Sequence, residues 1–247
     1  MRALLLAAGA GTRLRPLTDT IPKCLVPIHG RPLLDYWIER LLAGGIDRIL
    51  VNTHWLPDQV RAHIAGGPWK ALIDITFEPQ LLGTGGTVLA NRAFFGGNAF
   101  LVAHADNLTD LDVAKFAAMH ARRPPRCMMT MLAFRTDDPR SCGVLELDEQ
   151  GVVSAFHEKV ADPPSNLANG AVYIAEPELL DRLAAFDRPV VDLSVDVIPQ
   201  LMGRIFAVDL GCYHRDIGTA ESLRRAHLEF GHRARGGETA RGTVGRG

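Results

Sequence analysis

The sequence carries no excess of either charge: 27 Lys and Arg stand against 28 Asp and Glu over 247 residues, a formal net charge of −1. Non-specific binding to nucleic acid or to an anionic membrane surface needs a basic surplus, so neither partner is expected. Any anion must be met locally. The four cysteines, Cys24, Cys127, Cys142 and Cys212, form no C-x-x-C pair, which argues against a zinc site or redox dithiol and for free thiols in a reducing cytosol. No H-x₃-H spacing occurs, and His54, His104, His157 and His214 are read as pocket lining or satisfied polar groups. No segment approaches the ~18 apolar residues of a membrane helix. The apolar start, residues 3–10, imitates a signal peptide, but Gly9, Gly11, Arg13 and Arg15 interrupt it, and a cytoplasmic protein is expected.

What is present is periodic. Residues 3–7 form a continuous apolar run, as in a strand buried on both faces of a parallel sheet. Pro32 opens a helical pattern carrying Leu33, Leu34, Trp37, Ile38, Leu41 and Leu42, closed by Gly44 and Gly45. Strands at 49–51, 72–77 and 99–103 alternate with helices at 57–65 and after Gly86. This alternation predicts an α/β fold with a doubly wound, mostly parallel, Rossmann-like sheet. From about residue 126 the pattern turns β-rich: strands at 127–134, 144–147, 152–156 and 171–174, then helices at 177–185, 193–201 and 219–230. One domain is expected over 1–230, with an α/β first half (1–125) and a β-rich second half (126–230). The Gly- and Arg-rich stretch 231–247 reads as a structureless tail.

The first strand runs into Leu6-Ala7-Ala8-Gly9-Ala10-Gly11-Thr12-Arg13-Leu14, followed by Pro22-Lys23. Small residues after a buried strand let backbone N–H groups approach anionic oxygens. Leu14 stands where a dinucleotide fingerprint has its third glycine, and no Gly-Lys-Ser/Thr follows, so this is neither a Rossmann fingerprint nor a P-loop. Arg13 and Lys23, cations on a turn that offers no burial, favour phosphate over a merely solvated surface.

The run from Leu6 to Thr18 with Pro22-Lys23 resembles the signature of the sugar-1-phosphate nucleotidyltransferases, which join an NTP to a sugar 1-phosphate and release pyrophosphate. The resemblance extends through Leu82-Gly83-Thr84-Gly85-Gly86, Asp106-Asn107-Leu108, Phe156-His157-Glu158-Lys159, Asn169-Gly170-Ala171 and Asp216-Ile217-Gly218-Thr219. It implies that Arg13 and Lys23 act on the triphosphate, and that Ala7, Ala8, Gly9, Gly11 and Thr12 line the nucleotide pocket. Asp106 and Asp216 would hold Mg²⁺. Gly143, Glu158, Lys159, Asn169 and Gly170 would contact the sugar 1-phosphate, with Lys159 on its phosphate. Glu78 and Gly83 fall where the family reads the base. A carboxylate accepts two hydrogen bonds and so matches N1–H and N2–H₂ of guanine, whereas an amide would match uracil or thymine. GTP is therefore the expected nucleotide.

Without the resemblance, Asp106 would be read as a turn or cap, Asn169-Gly170 as a turn and Glu158 as a surface charge. One departure is Ala105, where the family has glycine before the metal aspartate; its Cβ is expected to narrow the space beside the metal. The wider pattern is most similar to guanylyltransferases acting on manno-configured sugars, mannose 1-phosphate or a manno-heptose 1-phosphate. No further domain is expected after the core. Rival readings are a metal-dependent glycosyltransferase, since Asp110-Leu-Asp112 is formally D-x-D, a uridylyl- or thymidylyltransferase, and a silent nucleotide-sugar-binding subunit. A homo-oligomer is compatible with Trp37, Trp55 and Trp69, which serve a core or a contact equally well.

Overall fold

A computed structural model describes the backbone of residues 1–241 and the side chains of 1–231. The first half runs β1 (Arg2–Leu6), a hairpin of β2 (Pro27–Ile28) and β3 (Arg31–Pro32), α1 (Leu33–Ala43), β4 (Arg48–Thr53), α2 (Pro57–Gly66), β5 (Ile73–Phe77), α3 (Gly83–Ala90), α4 (Arg92–Phe95), β6 (Phe100–His104), β7 (Asn107–Thr109) and α5 (Val113–Ala121). The second half contributes β8 (Met129–Arg135), β9 (Gly143–Leu147), β10 (Val153–Glu158), β11 (Leu167–Ala175), α6 (Glu178–Ala184), β12 (Ile205–Asp209), β13 (His214–Asp216) and α7 (Ala220–Arg241).

β1 lies between β4 and β6, all parallel, and β5 extends the sheet beyond β4. β11 then joins β6 antiparallel, pairs on its other side with β8, and carries the β9–β10 hairpin at its start. The doubly wound expectation holds in the packing. Ala3 and Leu5 join one core layer with Trp37, Ile38, Leu41 and Phe116, while Leu4 joins the opposite layer with Val88, Phe95 and Leu183. A strand buried on both faces needs apolar residues at both phases of its two-residue period, which is why 3–7 reads as an unbroken run. Among the described residues no helix is long and apolar enough to cross a membrane.

Asn169-Gly170, which without the resemblance reads as a turn, sits inside β11, at a register shift against β8 between Asn169 and Tyr173, with Ala171 at φ 52°. Two expectations change. Residues 193–201 are a π-helical turn, Leu193–Val197, followed by a 3-10 turn, Ile198–Leu201, in which Pro199 has no N–H to continue an α-helical ladder. The stretch read as a tail from Gly231 continues α7 as far as Arg241, through Ala, Arg and Glu residues of good helix propensity; 242–247 lie outside the described residues.

Candidate active site

The C-terminal ends of β1, β4, β5 and β6 open on one edge of the sheet, and β11, antiparallel to β6, begins at that edge. Open α/β sheets place their ligands there. Asp106 follows β6 by two residues. Asp216 reaches it from far along the chain because β13 pairs antiparallel with β7, Asp216 opposite Asn107, and the Ile217 N–H donates to the Asp106 carbonyl at 3.2 Å. Lys23 lies in a short 3-10 turn whose neighbours Cys24 and Val26 enter the core. Burial pushes the Cys24 thiol up to about 12, so it is an inert packing group.

These segments bring the two predicted carboxylates onto one predicted cation. Lys23 Nζ donates to Asp106 Oδ2 at 2.5 Å and to Asp216 Oδ1 at 2.7 Å, and Arg13 Nη2 reaches Asp216 Oδ2 at 3.3 Å. Lys23 is 7% exposed, which corrects the reading of a solvent-facing charge. A lysine is buried only when its ammonium is paired and hydrogen-bonded, and the two carboxylates supply both. Burial alone would lower its pKa, yet the net shift is upward because Asp106 and Asp216 favour the charged form. Asp106 moves the opposite way: burial works against its ionisation, but Lys23, with a lesser effect from His104, holds it below the usual carboxylate range. The two aspartates thus offer oxygens converging on one positive charge, the donor set Mg²⁺ takes when it binds through one or two carboxylates plus substrate phosphates. Ala105 is fully buried, in one core cluster with Ala7, Cys24 and Leu111.

The glycine-rich turn is open where the sequence predicts it. Gly9 is exposed, and a Cβ there would meet nothing within 4 Å. Gly11 has φ +62°, and its carbonyl accepts from Thr18 Oγ1 at 2.8 Å; a Cβ would lie 2.8 Å from Thr18 Cγ2. Thr12 opens the 3-10 turn that carries Arg13, and Ala8 is buried beneath it. The Ala7 N–H is taken by Asn52 Oδ1 at 2.7 Å.

Asn52 also governs Glu78. Glu78 is 4% exposed, its Oε1 accepts from Asn52 Nδ2 at 2.9 Å and from Thr87 Oγ1 at 2.7 Å, and its Oε2 takes only a long 3.4 Å contact from the Leu82 N–H. Reading both guanine donors needs two open oxygens, and one is already committed. Gly83, at φ +73°, answers to packing: a Cβ would sit 2.5 Å from the Val191 carbonyl. Asn52 and Thr87 were not identified from the sequence. The only signal was a polar residue closing the apolar strand 49–51.

The expected sugar-binding residues come together through strand pairing. Gly143 lies opposite Glu158 across β9 and β10, so close that a Cβ on Gly143 would fall 2.6 Å from Glu158 Oε2. Asn169 donates to the Tyr173 hydroxyl at 2.8 Å and accepts from the Ala171 N–H, while a Cβ on Gly170 would touch the Leu132 carbonyl at 3.0 Å. Lys159 is exposed, at φ 50°, with Nζ 3.2 Å from Glu158. Among the described residues no ion pair or hydrogen bond links it to the Lys23 cluster. A cleft of about 430 Å³ opens beside Asp216, lined by Arg13, Cys142, His214 and Gly218 among others. Burial holds His214 down to about 4, so its ring is neutral at pH 7 and adds no cation. His54 and His157 are satisfied, by the Glu78 carbonyl and by Glu146.

Comparison with known proteins places the chain in a family. The sequence model of the family described as nucleotidyl transferase matches residues 2–232. The mannose-1-phosphate guanylyltransferase of Mycobacterium tuberculosis is 32% identical over 92% of this chain and 64% of its own length. The UTP–glucose-1-phosphate uridylyltransferase of Synechocystis is 30% identical over 88% of this chain and 60% of its own. The chain thus spans about three-fifths of the length of these relatives. Among solved structures, HddC from Yersinia pseudotuberculosis superposes with a TM-score of 0.78 at 26% identity, covering 93% of this chain and 99% of that one, and it has also been solved in complex with GMP-PN.

Proposed function

The chain belongs to the nucleotidyl transferase family, in which its relatives are sugar-1-phosphate nucleotidyltransferases, and we propose that it transfers the nucleotidyl group of GTP to a manno-configured sugar 1-phosphate, mannose 1-phosphate or D-glycero-D-manno-heptose 1-phosphate. The single observation that carries this reading is the convergence of Arg13, Lys23, Asp106 and Asp216 at the ligand-binding edge of the sheet. An oxygen of the sugar phosphate attacks the α-phosphorus of GTP. One P–O bond forms, the bond to the bridging oxygen breaks, and pyrophosphate leaves with the electron pair. The nucleophile is already ionised, so no general base is needed, and the protein's task is positioning and charge. Arg13 and Lys23 neutralise the triphosphate, Lys159 holds the sugar phosphate, and the open backbone at Gly9 admits the nucleotide. Gly143, Glu158, Asn169 and Gly170 surround the sugar. Asp106 and Asp216 would hold Mg²⁺, which supplies positive charge to the phosphate oxygens when bound.

Guanine is supported by the acceptor-only chemistry of Glu78 Oε2 and by the guanylyltransferase relative. A second reading, uridylyl or thymidylyl transfer, is favoured by one observation: Oε1 of Glu78 is occupied by Asn52 and Thr87, so the two acceptors that guanine would use are not both open. The test is to supply Mg²⁺, each NTP in turn and a panel of sugar 1-phosphates, and to follow pyrophosphate. Release with GTP and a manno-configured sugar is expected. Release only with UTP or dTTP overturns the base, and no release with any pair overturns the activity.

A further inference from the structure

The cleft beside Asp216 has an outer wall with little of its own to hold it in place. Residues 136–142, between β8 and β9, bury no side chain. They are folded by local turns: the Asp138 N–H on Thr136 Oγ1 at 3.0 Å, the Ser141 N–H on the Asp138 carbonyl at 3.2 Å, and the Cys142 N–H on the Pro139 carbonyl at 3.3 Å. A segment with few buried contacts opens easily unless something outside fastens it.

At the start of the segment the Thr136 N–H donates to the Asn166 carbonyl at 3.0 Å, and Asp137 supplies the fastening toward β13 and α7. Its Oδ2 accepts from Arg215 Nη2 at 3.1 Å and makes a short contact with Arg225 Nη1. The partner side is rigid. Arg215, 18% exposed, is gripped by both oxygens of Glu229 at 2.9 and 3.1 Å, Glu229 also accepts from the Tyr213 hydroxyl, and Arg225 pairs with Glu221. At the other end of the segment the Cys142 carbonyl accepts the Lys159 N–H at 3.1 Å. Lys159 is a non-glycine residue at φ 50°, a conformation that persists only where neighbours impose it.

We propose that Asp137 is a positioning residue: by latching the 136–142 segment to β13 and α7, it holds the Cys142 carbonyl in place and thereby fixes Lys159 at the sugar-phosphate end of the site. The inference rests on the transferase reading for the identity of that end. Asp137 has no hydrogen bond or ion pair among the described residues to Arg13, Lys23, Asp106 or Asp216, so its effect falls chiefly on the sugar phosphate.

The test uses the full chain with Asp137→Asn, Arg225→Met and the double variant, read by pyrophosphate kinetics and by amide hydrogen exchange. In Asp137→Asn the KM for the sugar 1-phosphate should rise about fivefold, the scale of a partly exposed ion-pair network, and in Arg225→Met by less, because Arg215 still holds Asp137, while the KM for the NTP stays within about twofold in both. The double variant should be no worse than Asp137→Asn alone, because that variant already breaks the Arg225 link. Exchange should quicken in 136–142 and at Lys159, and nowhere in β1 or β6. An unchanged sugar-phosphate KM, an equal rise in both KM values, or unchanged exchange overturns the latch. If the wild-type protein releases no pyrophosphate, the transferase reading fails. Exchange then decides the latch: local quickening upholds it and its absence overturns it.

Discussion

Replacing Lys23 by Met keeps the side chain's bulk and removes the ammonium that Asp106 and Asp216 share. The two acceptor oxygens then lie within about 5 Å of each other with no charge between them, a repulsion of about 3 kcal/mol at an effective dielectric of about 20. Their side chains are 34% and 46% exposed, so water screens part of this, and burying an ammonium no longer has to be compensated. A net loss of about 2 kcal/mol at pH 7 remains, or roughly 4–8 °C in Tm for a domain of this size. The sign with pH is fixed. In the wild type Asp106 has a lowered pKa, so its contribution is present above the unfolded carboxylate pKa and is lost as pH falls through the folded value. Without Lys23, burial and the second carboxylate push it up instead. The variant's deficit is therefore largest at neutral pH and shrinks as pH falls toward about 4. Excess Mg²⁺ should restore part of the Tm in the variant and do less in the wild type, because it takes the vacated place between the carboxylates. The measurement is a thermal melt from pH 4.5 to 8, with EDTA or Mg²⁺. A variant as stable as wild type in EDTA at pH 7, or a deficit indifferent to both pH and Mg²⁺, refutes the shared cation site.

Gly218→Ala puts a Cβ 2.7 Å from Asp216 Oδ2 and 2.8 Å from Arg13 Nη2, both movable side-chain ends, so turnover should fall at least about tenfold through misplacement while Tm shifts by only about 2 °C; wild-type turnover would remove Asp216 from the chemistry. Gly86→Ala would gain up to about 1 kcal/mol from helix propensity alone, yet its Cβ would lie 2.4 Å from the Pro189 carbonyl, so a net destabilisation of about 1–3 kcal/mol is expected in denaturant melts. Glu78→Gln keeps an oxygen for Asn52 and Thr87 but replaces the acceptor Oε2 by a donor. The ratio of kcat/KM for GTP to that for UTP should drop at least about tenfold, the scale of one buried unpaired hydrogen bond, and an unchanged ratio would mean that Glu78 does not read the base.

The sheet was legible where burial imposed a pattern. β1 from Ala3 to Leu6 and β6 from Phe100 to Ala103 are apolar throughout because helices cover both faces, and α1 carries its apolar stripe to Trp37 and Leu41. The candidate site was legible through the motifs around Arg13, Lys23, Asp106 and Asp216 that carry the family resemblance, since by residue type alone Asp106 reads as a turn or cap. Their meeting was not. It depends on β7 and β13, strands of three residues each, too short for any period to show, paired across about a hundred residues of chain. For the same reason the burial of Lys23 escaped notice: a lone lysine on a turn reads as solvated until both counter-charges are placed around it.

The glycines of Leu82-Gly83-Thr84-Gly85-Gly86 show how a correct motif can carry a different physical reason. A Cβ at Gly83, Gly85 or Gly86 would press on the backbone of Val191 or Pro189, and the Gly85 and Gly86 N–H groups donate to the Val191 carbonyl at 2.8 and 3.0 Å. The Val191 N–H in turn donates to the Leu82 carbonyl, and Thr84 Oγ1 donates to Asp192. A strap from the second half of the chain therefore fills the start of α3 and satisfies donors that a helix N-terminus would otherwise offer to an anion. Two consequences follow. The two halves share backbone hydrogen bonds at this point, so cutting the strap costs both. And with the Gly85, Gly86 and Ala7 N–H groups all taken, less of the charge of a bound triphosphate can be met by backbone donors, which shifts the burden onto Arg13, Lys23 and whatever cation Asp106 and Asp216 hold.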